Sequence, residues 1–132
     1  MSVKRIAISL EPELLAKLEK TMKGRVYANR SKAVSDSLRS WFSLQEWNAG
    51  SGPKVATISI VYSHHTHGVL ERITDVQHDF GGNVLATLHI HLTHDDCLEV
   101  IAAKGTPKKI RALAAAIESV RGVKSCKLAI VN

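Results

Sequence analysis

The chain has 132 residues, 45% of them apolar, and a formal net charge of +6, enough for one domain or two small ones with a buried core. It has no apolar run of the ~18 residues that a membrane span needs, no apolar leader after the early charges at Lys4 and Arg5, and too few cysteines, two, for an exported disulfide scaffold; the expectation is a cytoplasmic protein with no membrane partner. Residues 1–48 hold nine Lys/Arg against five Asp/Glu, and residues 49–132 nine against seven, so the basic surplus lies at the N-terminus, where it suits nucleic acid.

In chain order, Arg5-Ile6-Ala7-Ile8-Ser9-Leu10 alternates with period two and predicts a strand with Ile6, Ile8 and Leu10 on one face. Pro12 and Glu13 open a helix that should run to about Gly24. Asn29-Arg30-Ser31 supplies N-cap residues for a second helix, with Ala33, Val34, Leu38, Trp41 and Leu44 in one stripe. A six-residue strand cannot stand alone, because its backbone groups need partners. The economical solution is pairing with the same strand of a second chain, and a two-stranded ribbon of that kind fits the DNA major groove. Its outer face would present Arg5, Ala7 and Ser9.

Asn48 to Pro53 is small and turn-prone and reads as a linker. The expected division is 1–48 for DNA binding, 49–53 as linker, and 54–132 as a second domain. Beyond the linker the pattern predicts a strand near 55–63, a helix near 68–80 with Leu70 among its inward residues, and strands near 83–92 and 97–103. A helix near 107–121 capped by Thr106 and a strand near 123–131 complete it. The order βαββαβ indicates a ferredoxin-like sandwich.

All seven histidines lie between His64 and His94, and Cys97 follows closely. Imidazole and thiolate are the side chains that transition metals take from proteins. Val84, Ala86, Leu88, Ile90 and Leu92 are all apolar and are expected to face the helices, leaving His89 and His91 on the opposite face. Leu98, Val100 and Ala102 set the same parity in the next strand, which places Cys97 and Glu99 beside those histidines. A tight turn would set His91 across from Cys97, with cross-strand neighbours ~5 Å apart and diagonals ~7–8 Å. His78 falls almost opposite the core stripe of its helix and points away from its own domain, as a ligand donated to a neighbouring subunit would. His64, His65, His67 and His94 are expected to line the rim, with His64 and His94 candidates for an auxiliary weak metal site and Glu99 for orienting a ligand. Cys126 shares the parity of Leu128 and Ile130 and reads as a buried thiol.

Lys4–Ser9, Asn29-Arg30-Ser31, Val76-Gln77-His78 and the run from Leu88 to Glu99 resemble the nickel-responsive transcriptional repressors over nearly the whole chain. The resemblance implies an α+β protein, an N-terminal ribbon-helix-helix (βαα, an intertwined dimer) followed by a βαββαβ ferredoxin-like (ACT-type) domain. It also implies a homotetramer, a dimer of dimers, with one Ni(II) per subunit held by His89, His91 and Cys97 of one chain and His78 of another. Operator double-stranded DNA would meet Lys4, Arg5, Ala7, Ser9, Asn29, Arg30 and Ser31. The chain departs from the family where Ala7 replaces a common threonine and where Lys32 replaces a glutamate that, with Asp36, would hold a second, harder cation. Regulators answering to copper, zinc or cobalt, or an antitoxin-like module, are the competing readings. A hydrolase is disfavoured, because four available ligands leave no open coordination position.

Overall fold

The computed structural model describes residues 2–24, 27, 29–50 and 52–131, so Ser51 of the linker lies outside the described residues. Two compact units are defined, residues 1–43 and residues 44–132.

In the first unit, α1 spans Pro12–Lys23 and α2 begins at Arg30 and runs to Ala49. The opening of α2 is capped as its residue types predict: Asn29 Oδ1 accepts from the Lys32 backbone N–H at 2.9 Å. Residues 3–11 form no strand, contrary to the alternation of Arg5–Leu10. The reason is elementary. A strand exists through a neighbour's N–H and C=O groups, and one chain holds no second copy of this segment. Val3, Ile6 and Ile8 are consequently well exposed.

The second unit orders β1 (Lys54–Ser63), α3 (Val69–Asp79), β2 (Val84–His91), β3 (Asp96–Gly105), α4 (Pro107–Glu118) and β4 (Val123–Ile130). The sheet order is β2-β3-β1-β4, and every pairing is antiparallel. Thr106 caps α4 by accepting from the Lys109 N–H at 3.2 Å. Ala56, Ile58, Ile60 and Tyr62 of β1 pack with Ile73 of α3 and Ile110, Leu113 and Ile117 of α4. Trp47, in the last turns of α2, is buried in this same core.

The sheet corrects the expected parity. Ile58 pairs with Ile101, Ile60 with Glu99 and Tyr62 with Cys97, so Cys97, Glu99, Ile101 and Ala103 face the helices. In β2 a register shift falls between Val84 and Ala86. Val84 packs on the core, and the one extra residue turns Ala86, Leu88 and Ile90 to the opposite face. His89 and His91 therefore lie on the helix side, level with Glu99 and Cys97. The apolar residues Leu88, Ile90 and Leu92 are instead exposed. Alternation predicted which residues share a face. It could not predict which face meets the helices, because here the polar set of His89, His91 and Glu99 lies on the helix side and the apolar set of Leu88 and Ile90 on the other. Leu70, expected inward, is also exposed, at 52%, because the buried stripe of α3 centres on Val69 and Ile73.

Candidate metal centre

The centre forms at the end of the β2–β3 hairpin. His89 and His91 are two apart on β2, so they point the same way, and register sets Cys97 opposite His91. One ligand atom from each of His89, His91 and Cys97 lies within 4.8 Å of the others. Cys97 Sγ is 3.5 Å from His91 Nδ1 and 3.9 Å from His64 Nδ1. Cys97 is buried while both β2 histidines are exposed, so the thiol forms the floor and the imidazoles the rim. Tyr62, His64, Leu70, Glu71, His89 and His91 are among the residues lining an open hollow here, which gives an ion a path from solvent.

The surrounding polar groups orient these side chains. Tyr62 Oη lies 3.1 Å from His89 Nδ1. Burial, then the charges of Glu99 and Cys97, push the Tyr62 hydroxyl up to about 12, so the phenol stays neutral at physiological pH. A His89 that offers Nε2 to a metal keeps its proton on Nδ1 and donates it to Tyr62 Oη, which fixes the tautomer and the ring plane. Tyr62→Phe is therefore expected to weaken metal binding by roughly 10–100-fold, with the fold retained; a titration showing unchanged affinity counts against this role. Beside it, Glu99 is only 6% exposed. Gln77 Nε2 donates to Glu99 Oε1 at 3.2 Å, and Oε2 has no partner among the described residues. A buried carboxylate oxygen without a donor is costly, and a cation close by would offset that cost.

The remaining candidates divide. His78 is exposed on α3 and lines a separate hollow with Gln77, Gly81, Val84, Ala86 and Thr87; it does not join the three ligands within its own chain. His64 stands against Cys97, whereas His94 groups with His65 and Asp95 instead. Cys126 is half-buried with its thiol aimed at the Ala114 carbonyl, and burial raises its pKa. In the first unit Lys4, Arg5, Ala7 and Ser9 are exposed, Asn29 caps α2, and Arg30, beside exposed Ser31, pairs with Glu19. Lys32 Nζ lies 2.8 Å from Asp36 Oδ1, so a second cation at Asp36 would have to displace an ammonium. Tyr62 and Gln77 are the residues that sequence reasoning missed. Tyr62 sat in an apolar strand with no pattern to single it out.

Two imidazoles and a thiolate on a four-stranded antiparallel sheet define a transition-metal-binding α+β domain. Residues 55–131 match the family model described as the NikR C terminal nickel binding domain. A protein of Methanococcus maripaludis named "Putative nickel-responsive regulator" is 41% identical over 128 residues, covering 96% of this chain and 91% of that one. One of Methanocaldococcus jannaschii is 39% identical over the same coverage. The chain belongs to the nickel-responsive regulator family. Among solved structures, an uncharacterized protein of Thermotoga maritima shares the fold at a TM-score of 0.55 and 15% identity, covering 61% of this chain and 99% of that one.

Proposed function

We propose that this protein is a nickel-dependent transcriptional repressor that binds operator DNA when Ni(II) occupies an intersubunit His3Cys site, and so limits nickel uptake. The observation that carries the reading is the convergence of His89, His91 and Cys97 on one end of one hairpin. Ni(II) would supply a fixed, directional junction between side chains, and its preference for square-planar or tetragonal ligation matches four protein donors.

His78 is the fourth donor. It is exposed and outside its own chain's cluster, so it is available to a second subunit in a dimer of dimers. Leu88 and Ile90, on the sheet face away from the helices, are 57% and 39% exposed and favour burial against another copy. Likewise, the exposed Ile6, Ile8 and Leu10 favour pairing of the N-terminal segments into a ribbon. That ribbon would direct Arg5, Ala7 and Ser9 at base edges, with Lys4 and Arg30 near phosphates. Ala7 can touch a thymine methyl but donates no hydrogen bond.

A ligand shifts an equilibrium only through its different affinity for the two states. A metal site shared by two subunits has that property, since it is complete in only one arrangement of them. Operator binding measured with Ni, Cu, Zn and Co is expected to respond most to Ni. His78→Ala is expected to leave DNA binding possible and to uncouple it from nickel; a full nickel response in that variant refutes the shared site.

A further inference from the structure

We propose that His65, His94 and Asp95 form a second, solvent-facing site for a divalent transition-metal ion, distinct from the Cys97 centre. It uses none of that centre's ligands and does not rest on the regulatory reading.

One ligand atom from each of the three lies within 4.8 Å of the others. His65 Nε2 is 3.0 Å from Asp95 Oδ1, and the His65 and His94 rings are 5.5 Å apart between centroids. The donors come from two segments, the turn after β1 and the β2–β3 turn, and the backbone ties these together. The His64 N–H donates to the Asp95 carbonyl at 2.7 Å. Thr93 Oγ1 accepts from the N–H groups of Asp95 and Asp96, and Lys124 holds Asp96 from β4 at 2.7 Å. On the other side, Gly122 has φ of +103°, and a Cβ there would stand 2.8 Å from Thr66 Cβ; only glycine allows this close packing beneath the His64–His67 turn. The three side chains are thus exposed at their tips but anchored at their bases.

Two imidazoles and a carboxylate suit Zn(II), Co(II) or Ni(II). Magnesium and calcium take oxygen ligands and are disfavoured. Three protein donors leave a position open to water. All three side chains are exposed and must be ordered on binding, so this site is weaker than the four-donor centre. Its position is informative as well. The His64 ring lies 5.3 Å from His65 and 5.9 Å from His91, so imidazoles run without a gap from the outer site to the inner one. An ion captured outside stands one imidazole, His64, away from the hollow that His64, His89 and His91 line.

The test is titration of the full chain with Zn(II) and with Ni(II), counting ions by calorimetry and elemental analysis. Wild type is expected to bind two classes of ion per chain. The double variant His65→Ala/His94→Ala should lose the weaker class and keep the thiolate-to-metal absorption of the Cys97 centre. Asp95→Asn should weaken that class by about tenfold or more, given that even groups that only support a ligand are worth 10–100-fold. Cys97→Ala should do the reverse, losing the absorption band and keeping the weaker class, which separates failure of this proposal from failure of the nickel reading. A single class in wild type, or an unchanged ion count in the double variant, overturns the site and leaves His65–Asp95 as a surface ion pair.

Discussion

Replacing Cys97 with alanine is expected to lower nickel affinity by more than about 100-fold, beyond the 10–100-fold that supporting groups contribute, and to abolish the thiolate-to-metal absorption. Cys97 is the one soft, anionic donor among the three convergent residues. Without it the centre keeps only neutral imidazoles, those of His89 and His91 and the His78 proposed from a second subunit, and loses the one anionic charge that offsets the ion's own. Proton competition belongs to the same test. The thiol releases its proton on binding, so wild-type affinity should fall as pH falls, and this dependence should be shallower in the variant. The substitution deletes a single sulfur from a site 1% exposed, at a cost on the order of 1 kcal/mol. Thermal unfolding of the apo protein therefore separates loss of a ligand from loss of the fold. Nickel affinity unchanged by the substitution would remove Cys97 from the centre.

Trp47→Ala is expected to destabilise the second unit by about 3 kcal/mol or more. Trp47 is 2% exposed within the core that contains Ile58 and Ile110. Arg111 lies over its ring at 5.4 Å and bonds to Asn48 beside it, so the truncation opens a cavity and strips the cation–π contact together. The indole N–H has no acceptor among the described residues, and its removal returns part of the loss, which places the expected value at the low end of the range for Trp→Ala. For a unit of this size that corresponds to a drop in Tm of more than about 10 °C. Trp47→Phe, which removes the unpartnered N–H and keeps most of the apolar area, should cost far less. Equal losses in the two variants would mean that the indole's size is not what the core uses.

Much of this was legible in the residues. Pro12, Asn29 and Thr106 mark helix starts through the physics of unpaired N–H groups, and the three helices they open begin at Pro12, Arg30 and Pro107. The spacing of His89 and His91, with a short turn before Cys97, was enough to bring the three together, because alternation in a hairpin is a local property. Three things were not local. The extra residue between Val84 and Ala86 reverses β2 relative to the helices, and nothing in an apolar run marks where it falls. The hydroxyl of Tyr62 meets His89 across 27 residues. Trp47 looks like one more apolar residue of a helical stripe, yet it belongs to the core of the second unit.

By itself, the sequence determined the α+β order of the second unit, the helices of the first, the identity of the convergent donors and the exposure of His78, since each follows from periodicity, capping or spacing over a few residues. Only the tertiary structure decided that the metal centre sits on the helix side of the sheet, that Tyr62 and Gln77 support it, and that His94 groups with His65 and Asp95 while His64 stands against Cys97. These outcomes depend on which strand lies beside which, and with what register. Register is set by the packing of the whole core rather than by any segment of the chain.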